Sequence, residues 1–585
     1  METRRSPGFS NFSDEVIIQI LHFSEYPSIL RFAATSKRHY GIVTDSASLQ
    51  LQIELEMHGL NLTNGSYDCQ WNGTSSGQLD QLLRYQDAWL NLNFDEPIEQ
   101  SLQEYSICEL REGNYAVAFS STDDSRTFDS LQIMPLSSMK DPDLIIFQPG
   151  FQDFTVDFGQ DLAILVNSDP HDVKSIEIRL VSLKTGHAHP LAQRPAFSIK
   201  FGFEISAVGD TTFGFEVMGD VLVTQVEGIN QRGFEILAWN WKTGTLLARI
   251  GSEFGAASFT FLDTTHVVVC ASGEDEAKNK NYLCRITISV YSISIDAPDK
   301  LPGCIVCHVS DYTHTRPVLM FEFPELDDSY RLSFLGIFRS APVPGRALRV
   351  MDNAITYLKA HTLGLSFSLV PRDGSWTDRG YEEVHLRVFI SASYLRHYLI
   401  QDAGKVDTTI ITWDNWGTQS TRWFLCDRAT GFWSFWSFGS RFLHVDDDPM
   451  STFHELSIFD FNPRAGIRRK GYKPNIPIPL HHTPDLQEEM KRHVLEGRGL
   501  VTPHLRRSIQ GRTSQLFTEI IDSSMPTVIE QGFSSPVESR LPYRVVSKPQ
   551  FVPTCLDWFI DDSHIIGRGP TQRNKEGILV YNLRI

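Results

Sequence analysis

The sequence predicts an α+β multidomain protein: a small N-terminal three-helix module followed by a large all-β, WD-like propeller domain of about six to eight irregular blades. Three observations carry this expectation. Apolar residues recur at helical spacing between Ser13 and Val43. Beyond about Gln100 the texture changes to short apolar runs separated by turn residues. Two of those runs, Ile176–Gly186 (IEIRLVSLKTG) and Phe234–Gly244 (FEILAWNWKTG), repeat one pattern.

The first helix is expected to start at Ser13, a capping residue, with Asp14 and Glu15 at the positive end of the helix dipole. Val16, Ile17, Ile20 and Leu21 supply its apolar positions, and it should stop near Ser24. Pro27 suits the first turn of a second helix carrying Ile29, Leu30, Ala33 and Ala34, and Tyr40, Ile42 and Val43 give a third apolar face. Isolated helices below about 12 to 15 residues are marginal in water, so these must pack on one another or on a partner. Leu49–Leu60 and Leu79–Phe94 read as two further, bracing helices, separated by the Asn/Gly/Ser-rich stretch Asn61–Gly77. The division is 1–60 for the helical module, 61–100 for linker and brace, and 101–585 for the β domain.

Within the β domain, strands are expected at Tyr115–Phe119, Leu131–Leu136, Leu162–Val166, Ile176–Leu183, Val221–Val226, Phe234–Trp241, Val267–Ala271, Ile286–Ile293, Val384–Ile390 and Ile578–Leu583. In the repeated pattern, Gly186 and Gly244 would supply the unusual backbone angle of a hairpin turn. Trp239-Asn240-Trp241 resembles the Trp-Asp position of WD-type blades, with Asn in place of Asp. The segment 464–512 breaks the texture with eleven Lys/Arg against four Asp/Glu and reads as a long exposed insertion, with a helix plausible over Asp485–Leu495.

Composition narrows the function classes. A hydrophobic fraction of 41% over 585 residues supplies a real core, and a net charge of −18 disfavours a general polyanion-binding surface. Eight cysteines, mostly inside apolar runs, fit reduced buried thiols better than a disulfide scaffold. The polar Met1–Ser10 stretch lacks the apolar core of a secretory signal, and no run reaches a membrane-spanning length. A cytoplasmic or nuclear location is expected, which makes the acceptor-like Asn61, Asn64 and Asn72 sites incidental.

Phe12–Leu55 resembles the F-box, with Glu15, Val16, Ile17, Ile20, Leu21, Ile29, Leu30, Ser36 and Lys37 matching the family pattern in order. Phe12-Ser13 stands where the family has Leu-Pro, and Leu49-Gln50 where it has Leu-Trp. The remainder is similar to fungal F-box proteins with β-propeller-like C-terminal halves. The residues concerned are Leu83-Arg-Tyr-Gln-Asp-Ala-Trp89, Trp413-Asp-Asn-Trp-Gly417, Thr421-Arg-Trp-Phe424, Gly439-Ser-Arg441, Phe459-Asp-Phe-Asn-Pro463, Leu541-Pro-Tyr-Arg544, Asp561-Asp562 and Ile565-Ile566. The resemblance implies a substrate-receptor subunit of an SCF-type cullin–RING ubiquitin ligase. Its F-box would dock on the Skp-family adaptor, and through it on cullin, using Phe12, Glu15, Val16, Ile17, Ile20, Leu21, Ile29 and Leu30; packing within the module is the competing role for these side chains. The β domain would bind an unknown protein substrate. No nucleic acid, membrane, cofactor, metal or catalytic residue is implied. Two alternatives stay open: a non-ligase F-box scaffold, and a propeller enzyme acting on glycans with carboxylates on its axis.

Other constellations read as structural. Cys304-Ile-Val-Cys307-His308 has the spacing of a haem-attachment motif but the texture of a strand, and no second Cys-x-x-Cys pair completes a zinc site. His481-His482, Asp446-Asp447-Asp448 and Asp561-Asp562 fit polar turns and surface better than metal centres. Trp413, Trp416, Trp423, Trp433 and Trp436 suit either a recognition surface or packing between blades.

Overall fold

The computed structural model describes residues 12–58, 60–62, 74–102, 107–121, 127–136, 142–169, 172–205, 213–229, 233–253, 255–275, 280–293, 306–337, 339–340, 347–350, 353–357, 362–372, 376–377, 380–381, 383–401, 407–426, 432–446, 453–462, 484–498, 517–553, 555–570 and 576–585. Cys304, His481, His482, Asp447, Asp448 and most of the 464–512 segment lie outside these residues.

Five helices open the chain: α1 (Asp14–Leu21), α2 (Tyr26–Ala33), α3 (Lys37–Asp45), α4 (Ala47–Met57) and α5 (Ser75–Leu90). Local chemistry sets their ends. Pro27 sits in the first turn of α2, and the Ser36 hydroxyl accepts from the His39 amide to start α3. Ser13 occupies the N-cap position of α1 without capping it. Its hydroxyl instead pairs with Glu15, which together with the Glu15 amide holds that carboxylate below its usual pKa. Ile17, Leu21, Ile29, Ala33, Ile42, Val43, Leu49, Ile53 and Met57 form one small core under α1 to α4.

The rest is mostly β. Among the described residues, seven sheets of four to six strands follow in chain order, each built mainly from consecutive antiparallel strands, beside one three-stranded and two two-stranded sheets. Sheet I comprises Ile107–Arg111, Asn114–Phe119, Phe128–Pro135 and Asp143–Phe151; sheet II Asp153–Asp157, Leu162–Asp169, Asp172–Ser182 and Ala196–Lys200. Sheet III comprises Phe213–Met218, Val221–Glu227, Phe234–Asn240 and Thr245–Ser252; sheet IV Ala257–Asp263, His266–Asp275, Lys280–Ser292 and Leu319–Glu322. Sheet V comprises Tyr330–Ile337, Thr362–Pro371, Val384–Ser391 and Thr421–Cys426; sheet VI Phe432–Phe438, Arg441–Asp446, Phe453–Asp460 and Tyr543–Pro553. Sheet VII comprises Asp557–Ile560, His564–Pro570 and Glu576–Asn582, and its fourth strand is Ile98–Ser101 from before sheet I.

The sheets close into a ring because each shares an apolar core with the next. Phe151 and Val181 belong to the core between I and II, and Ile178 and Trp239 to that between II and III. Ile236 and Phe261 pack between III and IV, Val290 and Leu386 between IV and V, and Phe424 and Phe459 between V and VI. Phe438 and Trp558 join VI to VII, and Phe559 and Ile566 join VII to Leu110 and Tyr115 of sheet I. A ring of face-packed, sequential antiparallel sheets, with one sheet completed by both ends of the chain, is a β-propeller.

Every strand run expected from the sequence is present. Gly186 and Gly244 adopt φ +68° and +76°, as the hairpin reading requires. The Asn240 side-chain oxygen accepts from the Lys242 and Thr243 amides, 3.1 Å each, so Asn folds the turn as Asp would. Within the basic insertion, α8 is observed at Pro484–Leu495, after α6 (Ala392–Gln401) and α7 (Trp413–Ser420). Val306–His308 is a strand, lying parallel to Ala196–Lys200 at the outer edge of sheet II.

Candidate functional site: the outward face of the helical module

The structure divides the predicted adaptor-binding residues by face. Ile17 (0% exposed), Leu21 (5%) and Ile29 (0%) point into the module's own core, and Leu30 is half-buried against it. Helices of eight residues cannot stand without that burial. Phe12, Val16 and Ile20 remain on the surface at 37%, 39% and 39%, Glu15 is exposed beside them, and Phe23 at 94% extends the row. Val16 and Ile20, four residues apart, lie on one side of α1, with Phe12 just before the helix and Phe23 just after it. Tyr40, grouped in the sequence with Ile42 and Val43 on one apolar face, is exposed while those two are buried.

The face is held firmly. Arg38 of α3 donates to Asp14 Oδ1 and to the Phe12 carbonyl, both at 2.9 Å, fixing the start of α1. From α4, Glu56 accepts the Tyr26 amide at 2.7 Å and Gln52 donates to the Ser24 carbonyl at 3.0 Å, fixing the α1–α2 turn. Helix α4 is buried on several sides: Leu49, Ile53 and Met57 serve the module, while Leu51 and Leu55 join α5 and sheets VI and VII. The module is therefore mounted on the ring rather than tethered to it.

That mounting gathers residues far apart in sequence. Tyr85 Oη and Trp89 Nε1 donate to the Asp562 carbonyl at 2.7 and 3.1 Å. The Arg441 guanidinium lies 5.5 and 5.0 Å from the Tyr85 and Trp89 ring centres. Burial pushes the Tyr85 hydroxyl up to about 12. Arg441, with Ser440 and Arg544, holds Asp460 below its usual range against the burial that opposes this. Asn462 donates to the Met57 carbonyl at 2.6 Å, ending α4. Asp561, Asp562 and His564 also converge, with ligand atoms within 4.8 Å of one another. Asp561 is engaged locally, accepting the Ser563 and His564 amides and pairing with His564 Nδ1 at 2.9 Å. Burial and the neighbouring Asp561 charge raise Asp562 to about 8.

The tryptophan cluster is mostly core, with Trp413 half-buried against the core of sheets IV and V. Trp416 (2% exposed) and Trp423 (0%) belong to the core of sheets IV and V, and Trp436 (6%) to that of sheets VII and I. Trp433 lies in a strand, its side chain outside the described residues. Arg422, fully buried, donates to the Leu541 and Met525 carbonyls at 2.7 and 2.9 Å, and burial lowers its pKa to about 10. On the innermost strands, Glu109 pairs with Arg111 and accepts from Thr155 Oγ1 and the Val156 amide. Glu216 accepts from Thr260 Oγ1 and the Phe261 amide. Both carboxylates thus fasten one sheet to the next. One cavity, between sheets II and III, had no sequence signal, because its lining comes from four separate segments.

No protein-family model matches the chain, and no curated protein matches it. Among solved structures, the Dos1 propeller is similar at 8% identity and TM-score 0.32, covering 85% of this chain and 97% of that one. The WD40 domain of SCAP from fission yeast aligns at 8% identity and TM-score 0.29, over 90% and 98% of the two chains. The β-propeller domain of the Trilobed protease from Pyrococcus furiosus aligns at 9% and 0.27, over 66% and 98%. Similarity at this level says nothing of function, and the propeller architecture rests on the closed ring of sheets. No helix among the described residues is long and apolar enough to cross a membrane.

Proposed function

We propose that the chain is a substrate-receptor subunit of an SCF-type cullin–RING ubiquitin ligase, with an F-box that docks on the Skp-family adaptor and a seven-bladed propeller that binds the target. The observation that carries this reading is the exposed pair Val16 and Ile20 on α1, flanked by exposed Phe12 and Phe23 in the adjoining turns, while Ile17 and Leu21 of the same helix are already buried. Apolar side chains that a short helix leaves in water are an interface in waiting. Glu15 supplies a charge at its edge, and Leu30 flanks it. The chain itself catalyses nothing in this reading and works in the cytoplasm or nucleus.

The test is capture of a purified Skp-family adaptor by the full chain. Val16→Asp with Ile20→Asp should abolish capture while leaving the urea midpoint of the chain within a small margin, since both sites are on the surface. No capture by the unaltered chain overturns the proposal. With cullin added, capture of the adaptor without cullin assigns the scaffold role, the reading favoured by Phe12-Ser13 in place of Leu-Pro.

A further inference from the structure

We propose that Ser13 is a phosphorylation site, and that its phosphate switches off capture of the adaptor by α1. The switch rests on the receptor reading above. Ser13 stands where the family has Pro, so this chain carries a hydroxyl at the end of the docking face where the family pattern has none. The residue is exposed, in extended backbone just before α1, and its side chain makes no cap on the helix. Its hydroxyl pairs instead with the exposed Glu15 carboxylate. Asp14 and Glu15 follow it directly, both in contact with water. Arg38 brackets it, donating at 2.9 Å to the Phe12 carbonyl on one side and to Asp14 Oδ1 on the other.

The donor is ATP, held by a protein kinase. Ser13 Oγ attacks the γ-phosphorus, the Oγ–P bond forms, the bond from that phosphorus to the β–γ bridging oxygen breaks, and ADP leaves. The hydroxyl proton passes to the kinase's carboxylate base. Asp14 and Glu15 select a kinase whose peptide groove is basic. Helix α1 has eight residues, and the Arg38–Asp14 pair at its start is exposed on both sides, so its first turn opens into such a groove at little cost. Once in place, the phosphate works against docking. A side chain at the N-cap position lies by the first helical turn, the turn that carries Val16. A group of charge about −2 there keeps its water and opposes burial of Val16 under a partner. The helix itself is not weakened, because the free amides of its first turn and the Arg38 guanidinium offset the repulsion from Asp14 and Glu15.

The test compares three forms of the full chain: unmodified, treated with an acid-directed kinase and ATP, and made with phosphoserine inserted at position 13. Peptide mass spectrometry should find phosphate on Ser13 after kinase treatment. Capture of the purified Skp-family adaptor should weaken about tenfold or more in the phosphoserine chain, while hydrogen exchange of α1 is no faster than in the unmodified chain. Capture by Ser13→Ala should not respond to the kinase. No phosphate on Ser13, a kinase response that persists in Ser13→Ala, or faster exchange in α1 overturns the switch. Unchanged capture by the phosphoserine chain refutes the switch alone and leaves the receptor reading standing. No capture by the unmodified chain refutes the receptor reading and the switch with it.

Discussion

At the scale of single residues, the Asp562 turn shows how the ring and the helical arm share one anchor. Helix α5 bonds the Asp562 carbonyl, so the side chain can be changed without touching those bonds. With Asp562 raised to about 8 by burial and by Asp561, the folded protein holds a proton that the unfolded chain releases near pH 4. Folding therefore binds protons between those values, and this group's contribution makes stability fall as pH rises from about 4 to 8. Urea midpoints of Asp562→Asn should exceed those of the unaltered chain more at pH 8 than at pH 5; an equal difference at both refutes the assignment. Arg441 works on the same anchor, stacking on Tyr85 and Trp89 while neutralising Asp460. Arg441→Met should cost about 2 kcal/mol in urea unfolding, from one cation–π stack and a weakened carboxylate partner.

At the scale of elements, α1 carries two apolar faces, and only packing tells them apart. Ile29→Ala, in the core that α1 shares with α2, should cost about 2 to 5 kcal/mol in the module and loosen adaptor capture indirectly. Val16→Asp should leave hydrogen exchange of α2 and α4 unchanged, and faster exchange there would place Val16 in the core instead. The sequence showed that α1 to α3 exist, through Pro27 and apolar spacing, but it placed a cap at Ser13, whose side chain makes none, and not at Ser36, whose side chain does. It could not separate Ile17 from Val16, because adjacent apolar residues fill more than one helical face. Strand runs such as Val221–Glu227 were legible because they are fully apolar or alternate, and Gly186 and Gly244 marked their turns. Val306–His308 pairing with sheet II, and Leu60–Leu62 with Asn353–Tyr357, were not: three residues carry no periodicity, and the partners lie over a hundred residues away. The cavity beside Trp239 was hidden for the same reason, since Arg194, Trp239 and His308 meet only after three strands have registered.

At the scale of the whole molecule, ring closure and presentation of the helical face depend on the same stretch of chain. Ile98–Ser101 completes sheet VII by pairing with Glu576–Asn582, and Phe94 bridges to Leu583. Just before them, α5 covers sheets VI and VII through Leu82, Leu83, Tyr85 and Trp89. Like the other sheets, sheet VII has a neighbour on each face, but its edge comes from the closing strand and α5 shares its core with sheet VI, whereas the cores around sheets III and IV hold only propeller residues. Two truncations separate the contributions. A chain starting at residue 93 keeps the closing strand and lacks α5; one starting at residue 107 lacks both. Hydrogen exchange in His564–Pro570 and Glu576–Asn582 should quicken in the first and quicken further in the second, by about a hundredfold or more, while Val221–Glu227 keeps its protection. Equal protection of sheet VII in all three chains would mean that the ring holds its seam without the N-terminal segment. In that case a partner gripping α1 would have no rigid path to the propeller. If sheet VII instead weakens stepwise, the arm that displays Val16 and Ile20 is continuous with the seam of the ring, and the helical face is carried at a fixed angle to whatever the rim binds.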